Sequence, residues 1–232
     1  MTAALFQSVL VLRSGPCDYD FNMGLDEALL EASVTFGAPV LRFYSWRQPA
    51  ASFGYFQKFA DVEKWTRLRP LVRRPTGGGL VPHDADWTYS LAVPPLCGWY
   101  HLRAIESYFQ MHEWLRLAFS QVQVASELAP TSLRSGPGQC FVGYEQNDLL
   151  SQGRKIAGAA QRRTRLGLLI QGSVQPPPGY LDRAAWEAAV CATTPSQLPG
   201  SWAPLELSQP MQEKAARLAR EKYSQPAYTQ RR

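Results

Sequence analysis

The chain has 232 residues, 24 of them Lys or Arg and 19 Asp or Glu, for a net charge of +5 and a pI near 9.1. Hydrophobic residues make up 45% and charged residues 19%, a balance that buries a substantial core and excludes wholesale disorder. At about 150 residues per domain the length favours one large domain, and no stretch approaches the roughly 20 apolar residues of a membrane span.

Cys17, Cys97, Cys140 and Cys191 are widely spaced and form no Cys-x-x-Cys pair. That spacing offers neither a zinc site nor a disulfide framework, and a reducing, cytoplasmic setting is expected. The positive charge is local. Residues 67–74 carry +4, residues 154–165 carry +5 and residues 213–232 carry +4, which leaves −8 on the remainder. Such patches suggest an anion site more than a generally nucleic-acid-binding surface.

In chain order, the first twelve residues read as a strand, without the basic leader and small-residue cleavage site of a signal peptide. Asn22 is expected to cap a helix through Glu31, with Leu25, Ala28, Leu29 and Ala32 at helical spacing. Strands are predicted over 39–46, over 51–56 (broken by Gly54), and at 71–74 before a turn-rich Pro75 to Gly79. Residues 88–93 alternate as a strand that Pro94-Pro95 ends. A long helix covers about 103–124, with Ile105, Tyr108, Phe109, His112, Leu115, Ala118, Phe119 and Val122 on one stripe. A Pro/Ser/Gly loop follows over 130–138, then strands at 148–150, 155–161 and 167–175. Asp182 caps a short helix through Cys191, and Ser208 caps a last helix to about Tyr223. Runs of strands with inserted helices imply an α+β fold on a mixed, mostly antiparallel sheet flanked by helices. One catalytic domain is expected over 1–180, with a helical tail over 181–232.

Two clusters carry chemistry. In Arg73-Arg74-Pro75-Thr76-Gly77-Gly78-Gly79-Leu80-Val81-Pro82-His83-Asp84, three glycines remove every Cβ from a short arc, so backbone N–H groups can approach a phosphate or carboxylate. Two arginines before it add forked donors. The alternative is a hairpin turn flanked by surface arginines. The spacing matches neither common nucleotide loop. In Gly153 to Arg163, strand alternation puts Lys155, Ala157 and Ala159 on one face. Small neighbours leave room for a ligand oxygen beside the ammonium; the alternative is a solvated lysine on an edge strand.

Together these clusters bring a family into view. The chain resembles the catalytic domain of the biotin/lipoate protein ligase superfamily, in its lipoate–protein ligase and octanoyltransferase branch. The matching pieces keep the family's order: Asn22-Met-Gly-Leu-Asp-Glu-Ala-Leu-Leu30; Arg42-Phe-Tyr-Ser-Trp46 with Ser52-Phe-Gly-Tyr-Phe-Gln57; Arg73 to Asp84; Asn147-Asp148-Leu149; Gly153 to Gln161; and Gln171-Gly172-Ser173. The resemblance implies that Arg73, Arg74, Gly77, Gly78 and Gly79 line the pocket for the activated acyl head. It also implies that Lys155 contacts the acyl carbonyl, with Gly158 and Ala159 beside it. Asp148 falls near a nucleotide or its metal, though no metal ligand set is identified. His83 either orients the loop or is a satisfied structural histidine. The aromatic strands from Phe43 to Phe56 are expected to wall an apolar acyl tunnel.

The branch divides by how the acyl group arrives. A ligase makes an acyl-adenylate from lipoate with ATP and Mg2+. A transferase, with no cofactor, takes octanoate from acyl carrier protein onto a cysteine. Either then modifies a lysine of a lipoyl domain, in the E2 subunits of 2-oxoacid dehydrogenases or in the glycine cleavage H protein. Cys140, followed by Phe141, resembles the transferase nucleophile, and the alternative for it is a small buried apolar residue. Gly79 resembles the ligase loop, where cysteine transferases usually carry arginine. Ile170 stands where many relatives place histidine, and no C-terminal accessory domain is expected. The sequence reading leans to the ATP-dependent ligase, with the cysteine transferase as its alternative and a non-catalytic lipoyl-domain binder more distant. The basic C-terminal helix is a solvated face or a surface that steers an acidic carrier domain. Neither nucleic acid nor membrane is an expected partner.

Overall fold

The computed structural model describes residues 8–133, 143–175, 181–198 and 200–232. The chain runs β1 (Val9–Cys17), α1 (Tyr19–Phe36), β2 (Val40–Trp46), β3 (Ala50–Phe53), α2 (Phe59–Trp65), β4 (Leu71–Arg73), β5 (Val81–His83) and β6 (Trp87–Val93). It continues through α3 (Gly98–His101), α4 (Ala104–Gln121), β7 (Glu127–Leu128), β8 (Leu149–Ser151), β9 (Arg154–Thr164), β10 (Gly167–Val174), α5 (Arg183–Ala192) and β11 (Trp202–Pro204). Helix α6 (Gln209–Leu218) runs on through a π-helical turn (Ala219–Tyr223) to α7 (Pro226–Thr229). No helix of the described residues is long and apolar enough to cross a membrane.

Among the described residues the main sheet has eight strands in the order β11-β1-β2-β6-β10-β9-β8-β7, and a small sheet has the order β4-β3-β5. In the main sheet β1 pairs in parallel with β11 and β2, and every other pairing is antiparallel. This is the mixed, mostly antiparallel α+β architecture that the strand pattern implied. Side-chain alternation divides the sheet's two faces. Leu41, Phe43, Leu91, Leu168 and Ile170 join Trp114, Leu115 and Phe119 of α4 and Trp186 of α5 in one core. Val40, Ala92 and Leu169 pack with Leu25, Ala28 and Leu29 of α1 and Ala215 of α6 on the opposite face. The tail over 181–232 adds a strand as well as helices: β11 extends the main sheet beside β1. The three-residue β11 (Trp202-Ala203-Pro204) is too short to carry a periodic signal, so the sequence shows only the proline-rich joint around it.

Two local expectations change. Helix α1 begins a turn earlier than Asn22, at N-cap Asp18, and ends at Gly37. There a left-handed φ of 60° lets the Gly37 N–H reach the last carbonyls. Asn22 is not the cap. It is fully buried within the helix, its side chain donating to the Ser45 carbonyl (3.1 Å) and accepting from Arg42 (2.6 Å). Second, Lys155 does not share a face with Ala157 and Ala159. Leu150 pairs with Lys155 while Leu149 pairs with Ala157, so Ile156 is an extra residue in β9 and the alternation flips there. Lys155 therefore lies over Gly158: a Cβ on that glycine would stand 2.6 Å from Lys155 Cε and Nζ.

Candidate active site

A narrow, largely apolar pocket opens between β9–β10 of the main sheet and the small sheet. Met23 from α1, Tyr44 and Trp46 from β2, and Val81 from β5 supply apolar wall; Lys155, Gly158, Ala159 and Ala160 from β9 form one side.

Lys155 is nearly buried and paired with the fully buried Asp148, Nζ to Oδ2 2.6 Å. Asp148 is also the acceptor for the Tyr108 hydroxyl and for the Glu145 N–H (2.7 Å). The pair needs Gly158, because a Cβ there would also come to 3.1 Å from Asp148 Oδ1. A cation held by a desolvated, multiply bonded carboxylate is a fixed donor at the pocket wall. Asp148 thus meets protein groups here, where the resemblance placed a nucleotide or metal. Among the described residues no three His, Cys, Asp or Glu side chains converge as metal ligands.

The arginine–glycine loop divides unexpectedly. Arg74 lines the pocket, donating to Ser52 Oγ (2.9 Å) and to the carbonyls of Gly77 and Gly79 (both 2.8 Å). Arg73 is fully buried but absent from the pocket wall. Its guanidinium donates to carbonyls of Tyr55 and Gln57 (both 2.7 Å) and Thr229 (2.9 Å), clamping the C-terminal turn onto the loop. Consecutive residues of a strand point to opposite sides, which is why the two arginines separate. Gly77, Gly78 and Gly79 shape the loop without lining the pocket. Gly78 takes a left-handed φ of 80°, and any Cβ on the facing Gly54 would overlap the Gly78 carbonyl oxygen.

His83 is buried with both ring nitrogens engaged: Nε2 lies 2.6 Å from Ser52 Oγ and Nδ1 2.8 Å from Asp86 Oδ2. The ring stacks on Trp46, with centroids 3.9 Å apart. Burial raises the Asp86 pKa, but His83 and hydrogen bonds from His83, Ser173 and Thr88 outweigh it and hold the carboxyl below its usual range. His83 is thus linked to the loop at one remove, through Ser52 and Arg74.

Several residues of the site went unassigned from sequence. Asp26, wholly buried, accepts from Arg42 (2.7 Å), Tyr44 (3.1 Å), Ser90 (2.7 Å) and Gln171 (2.7 Å). Gln171 in turn accepts from Thr76 Oγ1 (2.8 Å), tying α1 and β10 to the loop. Ser52, Asp86, Ser173 and Trp46 are the other omissions. Their signal was available in part, since Asp26, Arg42, Ser52 and Gln171 all lie within the family's motif pieces. The aromatic tunnel is only partly formed as expected: Tyr44 and Trp46 wall the pocket, whereas Phe43 and Phe53 belong to separate cores and Phe56 is exposed. Cys140 lies outside the described residues. Cys97 and Cys191 have thiols pushed up chiefly by burial, in keeping with packing roles.

The chain resembles known proteins at three levels. Octanoyltransferase LipM of Carboxydothermus hydrogenoformans is 37% identical over 163 residues, covering 66% of this chain and 59% of the relative. The LipM proteins of Geobacillus kaustophilus (37%) and Bacillus subtilis (34%) each match 69% of this chain and 63% of their own length. The chain thus spans about three-fifths of these curated relatives. Among solved structures, lipoate-protein ligase A bound with ATP superposes with a TM-score of 0.76 at 18% identity, covering 97% of this chain and 98% of that one. A bi-partite lipoate protein ligase from Thermoplasma acidophilum gives 0.72 at 18% identity, covering 98% and 97%. These distant likenesses establish the fold.

The leaning towards an ATP-dependent lipoate–protein ligase is corrected by the nearer relatives, at 33–37% identity, which are octanoyltransferases. The feature behind it, Gly79, has a different use in this structure. The loop turns the Gly77 and Gly79 carbonyls to Arg74, so a third glycine here does not imply an extra phosphate-binding N–H. The lipoyl protein ligase A/B catalytic domain matches residues 18–175, and the chain belongs to that family.

Proposed function

We propose that this chain is the catalytic domain of an octanoyltransferase, moving an octanoyl group from an acyl carrier protein to the lysine of a lipoyl domain. The observation that carries this reading is the 33–37% identity to octanoyltransferases across two-thirds of the chain. The apolar walls from Met23, Tyr44, Trp46 and Val81 receive the alkyl chain, and Lys155 stands at the wall where its carbonyl would end. Cys140 is the nucleophile in this reading. Its thiolate attacks the thioester carbon, the new S–C bond forms, and the donor's C–S bond breaks with its thiolate taking up a proton. Lys155, paired with Asp148, donates to the carbonyl oxygen as negative charge develops there. The acceptor lysine's neutral ε-amine then attacks the acyl-cysteine. The amide forms as the C–S bond breaks, and the surplus proton of the attacking nitrogen passes to the departing Cys140 sulfur, restoring the thiol. The donor thioester supplies the activation, so the reaction needs no ATP.

The test is mass spectrometry of an apo lipoyl domain incubated with the protein and octanoyl-acyl carrier protein. The reading expects a mass gain of one octanoyl group without ATP, and none with Cys140→Ala. Modification obtained only from free acid plus ATP, and indifferent to Cys140→Ala, would sink it. Loss of transfer in Lys155→Ala with Cys140 still acylatable would place Lys155 in the second step alone.

A further inference from the structure

A basic cleft lies beyond the acyl pocket along the same strand. After the bulge, the pocket-facing positions of β9 run Gly158, Ala160, Arg162, a span of about 13 Å at about 3.3 Å per residue. Arg162 donates to the Pro75 carbonyl of the loop (3.4 Å), and its guanidinium lies 5.1 Å from the Tyr55 ring centroid. From the other side, the C-terminal segment brings Arg231 to 3.7 Å and Arg232 to 6.0 Å from the same ring. The cleft between them is open to solvent, and Lys222 and Tyr228 complete its basic and aromatic wall. Glu221 also lines it, and Lys222 is neutralised by Glu27 at 2.6 Å. Among the described residues, Arg162, Arg231 and Arg232 form no ion pair with a side-chain carboxylate.

Three guanidinium groups around one phenol repel one another, and a bound anion would relieve that repulsion. The phenol senses them: a hydrogen bond from Arg231, and the charges of Arg231, Arg162 and Arg232, outweigh slight burial and draw the Tyr55 pKa down. All three lie within about 6 Å of one ring and are not spaced along a helix. Convergence suits a single compact oxyanion gripped by several forks, whereas the carboxylates of an acidic surface would need charges spread along it. The cleft's position adds a constraint, since whatever it holds sits one arm's length from the wall where Lys155 meets the acyl carbonyl.

We propose that this cleft binds the phosphate of the pantetheine-type arm that presents the acyl group as a thioester, holding the donor while its acyl chain enters the pocket. The proposal rests on the octanoyl-transfer reading. It gives the basic C-terminal residues a task that the sequence left open.

The test compares steady-state transfer by the parent and by the Arg162→Gln/Arg231→Gln double variant, with lipoyl domain saturating. Three donors are used: octanoyl-acyl carrier protein, octanoyl-phosphopantetheine, and octanoyl-N-acetylcysteamine, a thioester without phosphate. Because the variant has no guanidinium at either position to grip the phosphate, KM should rise about tenfold or more for the two phosphorylated donors and stay within about twofold for the third. Equal loss with all three donors would mean a damaged fold or pocket and overturn the proposal. No loss would also overturn it. Loss with the carrier protein alone would assign the cleft to that protein's acidic surface and overturn the phosphate. If the parent transfers from no thioester, the octanoyl-transfer reading fails by itself. Calorimetry with phosphopantetheine then still decides the cleft: binding by the parent at least about tenfold tighter than by the variant supports it, and equal binding refutes it.

Discussion

Replacing Asp26 with alanine should be among the most damaging single changes in this chain. Asp26 and Arg42 are both fully buried, 2.7 Å apart, on opposite sides of the α1–sheet interface. Asp26 also receives the Tyr44 hydroxyl, the Ser90 hydroxyl and the Gln171 amide. Among the described residues, its removal leaves the buried guanidinium hydrogen-bonded only to the Asn22 carbonyl, Asn22 Oδ1 and Ser14 Oγ, beside the Tyr44 ring it stacks on. Breaking a buried pair from one side costs about 3–5 kcal/mol. That is a large part of the roughly 5–15 kcal/mol that holds a domain folded. At roughly 2–4 °C per kcal/mol for a chain of this size, the melting temperature should fall by about 6–20 °C. Circular dichroism at 222 nm during a thermal ramp measures it. An apolar double replacement, Asp26→Leu with Arg42→Met, should be less harmful than the sum of its single changes, because it removes the charge that the single variant leaves uncompensated. A fall of under about 3 °C for Asp26→Ala, or strict additivity in the double variant, would refute this account of the core.

Two further outcomes follow from the same geometry. His112 is buried on α4 with Nδ1 facing the Tyr108 carbonyl at 3.0 Å; burial, offset in part by Asp148 and that carbonyl, pulls its pKa down to about 4. Its folded pKa lies below the unfolded value of about 6.5, so the unfolded chain binds the extra proton first; stability is full above about pH 6.5 and declines towards pH 4, by about 3 kcal/mol in all. His112→Gln should flatten that part of the melting-temperature profile, and an unchanged profile would refute the assignment. The loop glycines should also differ. Gly54→Ala forces the Gly78 carbonyl away and should lower both stability and transfer, whereas a Cβ on Gly77 meets nothing within 4 Å. Gly77→Ala should therefore melt within about 2 °C of the parent, and a large drop there would show that the loop is held differently.

Much of the site was legible in order but not in role. Arg74, Lys155, Gly158 and His83 stand out in sequence because a glycine arc beside arginines, and a lysine among small residues, are uncommon patterns with a direct chemical reading. The roles of Asp26, Arg42, Ser52, Asp86 and Gln171 were not legible. Each takes its meaning from a partner many positions away, such as Arg42 from Asp26 and Gln171 from Thr76. Arg73 and Arg74 look alike as a dipeptide, and strand pleating sends one to a structural clamp and the other to the pocket. The Lys155 face was misassigned because a single inserted residue, Ile156, reverses the alternation on either side of it.

The sequence by itself determined the α+β class, the family and the glycine–arginine and lysine segments. Those depend on local periodicity, turn chemistry and motif order along one chain. The tertiary structure decided which of the basic residues act together. Among the basic residues, Arg73 clamps the C-terminal turn, Arg74 and Lys155 line the pocket, and Arg162, Arg231 and Arg232 gather around Tyr55 from segments some seventy residues apart. Electrostatic interaction falls with distance in space and screening, not with separation along the chain, so the cleft's charge exists only once β9 and the C-terminal turn are packed side by side.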